Sequence, residues 1–394
     1  MRIGIDVSTW HNSRGFGRFT RELVAAMLAA PGAHEFVLLC DEADPELPAV
    51  EQVPVRPGRR AIDAAVADGR RSVADLLRFT HAAHRSRLDM LFYPAVYSWF
   101  PCPPGLCNVV TLHDAIAERF PALVFPARLP RLAWRAKVRL ACAQADRLLT
   151  VSQAAREEIV AYMAIDPARI DTTTEGPRDV FHPPTQGGLP KMRAALAAQF
   201  SFDPGCAVLV YVGGFAPHKN VRALLLAFAR PPGALKSRTV LLLVGDPAGA
   251  GFHSNLAELH GLIAADPTLA AATRFTGFVD DPTLAAVYSI ATAAVMPSLS
   301  EGFGLPAIEA MACGTPVVAS SAGSLPEVVG DSGLLFDPHD VAALTAALAS
   351  LLEDHALRAT LAARALARAR LFTWQRAAEL AIGCLERTRA GAAR

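Results

Sequence analysis

The stretch from Ser298 to Pro316, SLSEGFGLPAIEAMACGTP, constrains this chain more than any other. Upstream of it, Ala293 to Pro297 is an apolar run of strand length. Gly302 and Gly304 then break the pattern, and Pro306 stands where the start of a helix favours proline. The pattern predicts strand, loop and helix, with Glu301 in the loop and Glu309 in the first helical turn. Both acids would then lie beside the free N–H groups and positive dipole end of the helix. Glycines let backbone N–H groups approach a phosphate without an intervening Cβ, while a carboxylate only accepts hydrogen bonds and so suits sugar or ribose hydroxyls. One pocket can hold both groups. On these residues alone, Glu309 can equally serve only to complement the helix dipole, and Glu301 can be a solvated loop acid.

The rest of the chain repeats the strand-and-helix alternation. In the first half, Arg2–Val7, Glu35–Cys40, Leu88–Tyr93, Asn108–Leu112 and Arg147–Ser152 read as short apolar strands. In the second half, Ala207–Val212, Thr239–Val244, Arg274–Thr276, Ala293–Pro297 and Val317–Ser320 do the same. Strands separated by helical stretches predict an α/β protein. A length of 394 residues with 52% hydrophobic composition supplies cores for two domains. The Thr-, Pro- and Gly-rich segment from Asp171 to about Asp203 reads as the linker between them. A formal net charge of +1 argues against a nucleic-acid partner, and seven scattered cysteines with no C-x-x-C pair indicate neither a disulfide framework nor a zinc site. Met1–Asp6 leads straight into a strand, and no run approaches about 18 apolar residues, so a soluble or peripheral cytosolic protein is expected.

Three further junctions carry chemistry. Arg14-Gly15-Phe16-Gly17-Arg18 puts two glycines between arginines ahead of a helix expected from near Thr20; it can seat an anion but is neither G-x-G-x-x-G nor a P-loop. His113 and Asp114 end a strand, and in open parallel sheets ligands gather at the carboxyl ends of strands; the alternative is a loop histidine hydrogen-bonded to its neighbour. Gly213 to Asn220 opens a helix and contains Lys219, which can neutralise a diphosphate as a point charge or can simply be solvated. Asp281 before Pro282 reads as a helix N-cap. Arg128, Arg131, Arg135 and Arg139 share one helix face near Trp134, a pattern for resting on an anionic membrane or for arginine stems lying over core residues.

Glu301 and Glu309, with seven residues between them that include Gly302-Phe303-Gly304-Leu305-Pro306, resemble the donor-site motif of glycosyltransferase family 4 (group 1). These are retaining, nucleotide-sugar-dependent enzymes of the GT-B fold. The resemblance runs from Gly4 to about Trp374 and is loosest in the middle of the first half. It implies an α/β chain of two facing Rossmann-like, doubly wound domains with a cleft between them. Residues 1–185 would form the acceptor side, with a helix over 372–394 packing back on it, and 186–371 would bind the nucleotide sugar.

By the same resemblance Glu301 contacts hydroxyls of the transferred sugar, the backbone at Gly302, Phe303, Gly304 and Leu305 meets sugar and phosphate, and Glu309 binds the ribose. Gly15, Gly17 and Arg18 would face the donor phosphates, with Arg14 and Asp114 toward the acceptor. Gly214 and Lys219 would hold the diphosphate, Phe278 and Val279 would border the base, and Gly323 to Glu327 would shape the pocket wall. His113, Lys219 and Glu301 form the implied catalytic set. The chain departs from the family at two places. His218 replaces the usual arginine beside the lysine and supplies less charge when neutral. Glu175-Gly176-Pro177 stands where Asn-Gly-Val is common.

The expected reaction moves a hexose, with retention, from GDP-mannose or a UDP-hexose to a hydroxyl of a glycan, a lipid-linked or a small-molecule acceptor, in the manner of envelope polysaccharide synthesis. No D-x-D run occurs, so no metal and no cofactor is expected. The protein would be cytoplasmic, with peripheral contact at the inner face of the membrane as a further expectation. Two alternatives share the architecture: a nucleotide-sugar 2-epimerase, which turns over donor with no acceptor present, and a non-catalytic nucleotide-sugar-binding module. A Rossmann dehydrogenase is disfavoured because no dinucleotide fingerprint follows the first strand.

Overall fold

The computed structural model describes residues 1–12, 15–32, 34–58, 71–125, 127–185, 187–230, 238–246 and 254–392. The chain divides into two compact units. One takes in Met1–Glu175 with the C-terminal Thr373–Arg394, and the other lies within Gly176–Phe372.

The first unit is a seven-stranded sheet: β1 (Arg2–Asp6), β2 (Glu35–Cys40), β3 (Glu51–Pro54), β4 (Met90–Tyr93), β5 (Cys107–Thr111), β6 (Arg147–Thr150) and β7 (Ile170–Thr172). The order is β3-β2-β1-β4-β5-β6-β7, and every neighbouring pair is parallel. Central strands such as MLFY in β4 are wholly buried, as parallel strands covered on both faces must be. The helices α1 (Gly15–Ala29), α2 (Val73–Arg85) and α3 (Arg128–Gln144) lie along the sheet, and the C-terminal helix Trp374–Ala392 returns to it. There Trp374 meets the Phe19 ring at 6.1 Å, and the Thr173 hydroxyl donates to the Ala377 carbonyl at 2.9 Å. Helix α1 starts at Gly15, five residues before the expected Thr20, so Gly15 and Gly17 lie in its first turn and not in a loop. Gly17 is demanded by packing: a Cβ there would stand 2.1 Å from the Asn12 carbonyl oxygen.

The second unit repeats the pattern with β8 (Ala207–Val212), β9 (Thr239–Val244), β10 (Thr273–Gly277), β11 (Ala293–Met296), β12 (Val317–Ser320) and β13 (Gly333–Phe336), ordered β10-β9-β8-β11-β12-β13 and again all parallel. Its core gathers Leu209, Leu241, Leu243 and Val295 from the sheet with Leu224, Leu225 and Phe228 from α4 (Val221–Phe228). Each fully buried side chain of this kind contributes about 1.5–3 kcal/mol, enough for burial to override local propensity. Residues 176–185 pack on this unit: Phe181 sits edge-on to Tyr288, and Arg178 pairs with Asp281.

Local corrections follow from the structure. Helix α5 (Asp281–Ile290) is capped by Asp280, which accepts from the Thr283 N–H at 3.0 Å, so Asp281 is the first helical residue and not the cap. The expected linker from Asp171 is interrupted by structure at both ends, since Asp171 and Thr172 belong to β7 and Leu189–Phe200 is a helix. Strands β3, β7 and β13 are the sheet edges or short terminal strands. With the sequences EQVP and IDT, β3 and β7 lack the apolar run by which central strands are recognised, and proline is tolerated at such an edge.

Candidate functional site

In both sheets the strand order reverses beside the first strand of the unit, between β1 and β4 and between β8 and β11. At such a switch point the loops leaving adjacent strands diverge and open a crevice at their carboxyl ends. In the second unit the two diverging loops are Gly213–Asn220, after β8, and Pro297–Gly304, after β11. They are the two stretches that the sequence marks for phosphate and sugar.

The first loop is built to hold a turn. Gly213 has φ +152, Tyr211 donates its buried hydroxyl to the Gly214 carbonyl, and a Cβ on Gly213 would lie 2.8 Å from that hydroxyl oxygen. After the short 3-10 turn Pro217–Lys219, Asn220 takes the left-handed conformation at φ 56, and its side-chain amide donates to the carbonyls of Pro297 (3.0 Å) and Pro338 (2.9 Å). The His218 carbonyl accepts from the Leu299 N–H at 2.8 Å. These bonds tie the two loops together, so Lys219 is delivered to a defined place.

That place is Glu301. Lys219 Nζ donates to both carboxylate oxygens, each at 2.8 Å, and the Ser298 hydroxyl donates to Oε1 at 2.6 Å. Ser298 is itself held by the Ser320 hydroxyl, which donates to its carbonyl at 2.6 Å. Burial pushes the Glu301 carboxyl up, but the ammonium charge and the hydrogen bonds from Lys219 and Ser298 outweigh it, and the carboxyl stays below the usual glutamate range. The site is therefore a preorganised ion pair at neutral pH. His218 contributes no charge to it: burial, and then the neighbouring Lys219 ammonium, push its imidazole down to about 4, and its Nδ1 is buried with no hydrogen-bond partner among the described residues.

The loop runs on through Gly302 and Phe303 to Gly304, which precedes α6 (Leu305–Ala312) in the left-handed conformation at φ +98. Ser324 closes the turn by donating its N–H to the Glu301 carbonyl (3.1 Å) and its hydroxyl to the Phe303 carbonyl (2.6 Å). Gly323, at φ +60, lies so close that a Cβ would be 2.5 Å from the Glu301 nitrogen. The Phe303 ring turns into the unit, 5.7 Å from Phe372, so only the backbone of this residue can serve a ligand. Glu309 is the fifth residue of α6, one position beyond the first turn where the sequence reading puts it, and is 3% exposed. A carboxylate so buried is not explained as a solvated partner of the helix dipole. Gly214 is exposed at the loop tip; Phe278, after β10, is 67% exposed with Val279 beside it partly buried.

In the first unit His113 and Asp114 follow the carboxyl end of β5. The His113 ring meets Phe19 of α1 edge-on at 4.7 Å, which brings the Gly15–Arg18 turn and His113 to the same end of the sheet. His113 Nε2 lies 3.0 Å from the Pro94 carbonyl, which can only accept, so the proton is on Nε2; Nδ1 faces the Glu175 carboxylate at 3.8 Å. Asp114 Oδ1 accepts from the Ile116 N–H at 2.9 Å and so shapes the loop. Arg14 lies outside the described residues, and Arg18 is partly buried on α1.

Sequence reasoning gave no role to Ser298, Asn220 or Glu175, and placed Ser324 only within the pocket-wall stretch Gly323 to Glu327. The first was legible as a serine three residues before the acid; the others act through contacts far along the chain and leave no local pattern. The structure also divides the basic helix differently. Arg128, Arg131, Arg135 and Arg139 are exposed on α3, but Trp134 is not available to an interface: its indole packs on Tyr97 at 5.2 Å and donates to Glu118 at 2.9 Å. The exposed apolar residues beside the arginines are Leu129, Leu132 and Leu140, at 59–68% exposure.

Comparison with known proteins bears on the family and the fold. The family model for glycosyl transferases group 1 matches residues 193–368, and that for glycosyltransferase family 4 matches 13–176. The chain is 35% identical over 232 residues to the O-antigen chain mannosyltransferase B of Escherichia coli, spanning 59% of this chain and 58% of that protein. It is 36% identical over 259 residues to a D-inositol 3-phosphate glycosyltransferase of Nocardioides, spanning 62% of this chain and 54% of that one. The match thus spans little more than half the length of these relatives. Among solved structures it resembles the sucrose-phosphate synthase of Thermosynechococcus elongatus, with a TM-score of 0.73 at 23% identity over the whole of both chains. It also resembles Anabaena HepE in complex with UDP and glucose, with a TM-score of 0.72 at 20% identity over 98% and 99% of the two chains. Two all-parallel α/β units, a glycine loop with its lysine, and the spaced glutamates after β11 have one family in common: the chain belongs to the group 1, family 4 glycosyltransferases and has the GT-B fold.

Proposed function

We propose that this chain transfers a hexose, with retention of anomeric configuration, from a nucleotide diphosphate sugar to an acceptor hydroxyl, without a metal. The observation that carries this reading is the Lys219–Glu301 pair at the switch point of the second sheet. In the free protein each group occupies the other's ligand place. A bound donor offers a diphosphate to the ammonium and sugar hydroxyls to the carboxylate, and both charges stay solvated by ligand as they turn outward. As the bond from the anomeric carbon to the phosphate oxygen breaks, Lys219 and the start of α6 stabilise the charge that grows on the leaving group. The acceptor oxygen bonds to the same face of that carbon, and its proton passes to the leaving phosphate. Glu301 then binds hydroxyls and is no covalent nucleophile; its lowered pKa and its full set of donors suit a fixed acceptor of hydrogen bonds. We assign the ribose to Glu309 and keep His113, whose Nε2 proton is held by Pro94, in the catalytic set.

GDP-mannose or a UDP-hexose is the donor we favour. The mannosyltransferase name of one relative supports the first and the UDP bound to one structural neighbour supports the second. Thermal-shift measurements with UDP, GDP, ADP and TDP test this, because a ligand at 100 times its Kd adds about 2.7 kcal/mol of apparent stability. One nucleotide should raise the melting temperature above the rest; no shift with any of them refutes a nucleotide-sugar site. Transfer should also survive EDTA.

We further infer a cytoplasmic protein that meets the inner face of the membrane, where a lipid-linked acceptor would stand. The support is the outer face of α3, where four exposed arginines run beside three exposed leucines with no acid between Arg128 and Gln144. Arginine stems with apolar neighbours can settle at the headgroup boundary. No helix among the described residues is long and apolar enough to cross a membrane.

A further inference from the structure

A second cationic cluster lies in the first unit. A groove of about 650 Å³ runs between the edge strand β3 and the second half of α2. Arg2 and Glu51, the first residues of β1 and β3, line it together with Arg78, His81, Arg85 and Arg87. Because all strands of the sheet are parallel, these residues mark the end opposite to His113, which follows the carboxyl end of β5.

The charge in the groove is lopsided. Its one acid, Glu51, is already paired with Arg2 at 2.7 Å, and Arg78 pairs with Asp75 at 3.0 Å. Among the described residues neither Arg85 nor Arg87 has an acidic partner, and both are exposed. Arg87 also follows the end of α2 with φ 50, a left-handed position that glycine or asparagine usually fills. On a protein of net charge +1 such a concentration is local, not a consequence of overall composition. The volume falls in the range of small-molecule sites, and guanidinium forks match phosphate oxygens two at a time.

We propose that this groove binds a soluble ligand bearing two or more phosphate groups, at a site separate from that of Lys219 and Glu301. An open groove between a strand and a helix offers such a ligand guanidinium groups from both walls and its rim, whereas the basic face of α3 offers them from one helix alone. The site requires no particular reading of the transfer reaction.

The test is calorimetric titration of the full chain with inorganic tripolyphosphate at low salt, using Lys219→Ala protein so that the other phosphate site is weakened. Adding Arg85→Ala with Arg87→Ala should weaken binding at least tenfold. Adding Arg131→Ala with Arg135→Ala, which removes equal charge from α3, should change it less than twofold. Circular dichroism should show all of these variants folded. Absence of binding in the Lys219→Ala parent, or equal losses in the two double variants, overturns the proposal. So does the loss of phosphoinositide-vesicle binding on changing Arg85 and Arg87 while tripolyphosphate binds no parent protein, which would make the groove a lipid-headgroup contact.

Discussion

Replacing Lys219 by methionine should convert Glu301 from a stabilising group into a destabilising one, and the change should depend on pH. In the native site the carboxylate is 16% exposed and the ammonium 24%, so neither is screened as a surface pair is. The carboxyl is now held below its usual range because the lysine charge and two sets of hydrogen bonds outweigh burial. Without the lysine, the Ser298 hydroxyl is the remaining donor recorded on the carboxylate oxygens, and burial raises the group above its unfolded value. Removing one member of a fully buried pair costs about 3–5 kcal/mol. Partial exposure lets water replace some of that, so the loss at pH 7 should be about 1–3 kcal/mol. The sign follows from linkage. In the wild type, the Glu301 contribution is present above the unfolded glutamate pKa and fades as pH falls through the lowered native value. In the variant, the penalty is present at neutral pH and is relieved as the carboxyl protonates on acidification. The stability difference should therefore be largest near pH 7 and shrink toward pH 4. Urea unfolding of both proteins across that range measures it. Adding Glu301→Gln to the methionine variant should restore most of the loss, and transfer at saturating donor should fall on the order of 10²–10³-fold in Lys219→Met. A stability difference that is flat with pH refutes the electrostatic account, and full turnover refutes the leaving-group role.

Glu309→Gln should weaken nucleotide binding by about 1.5–3 kcal/mol in calorimetry with little change in fold, and unchanged affinity would remove Glu309 from the site. Gly323→Ala combines a left-handed backbone with a clash against the Glu301 nitrogen; it should cost about 1–3 kcal/mol in chemical denaturation and lower transfer as the Glu301 loop shifts. His218, buried neutral with a native pKa of about 4, lends stability that is present above the unfolded histidine value and is lost as pH falls from about 6.5 toward 4; His218→Gln should flatten that part of the pH–stability curve. Anionic vesicles should sediment the protein at low salt, with each α3 arginine contributing about 1 kcal/mol, and the Arg131→Ala, Arg135→Ala protein should pellet less; equal, negligible pelleting with anionic and neutral vesicles at all salt concentrations would leave α3 a solvated face.

The central strands were legible because a strand buried on both faces must be an unbroken apolar run, and AVLVYV and TVLLLV admit little else. The glycine turn and helix start that carry the spaced glutamates were legible for a similar reason: Gly302, Gly304 and Pro306 stand within a few positions of one another. The edge strands were not, since pairing on one side leaves EQVP free to be polar and to contain proline. The start of α1 at Gly15 was hidden because Gly17, which looks like a loop residue, is there to let the first helical turn pack against the Asn12 carbonyl. Trp134 looks like an interfacial aromatic from its helix spacing, but Tyr97, Phe125 and Glu118, brought up from other segments, draw it inward. Only the tertiary structure decided that Lys219 pairs with Glu301, 82 residues later, and that Asn220 reaches Pro338. The loops after β8 and β11 become neighbours through the strand order, and strand order is a property of the folded sheet and not of any local run of residues.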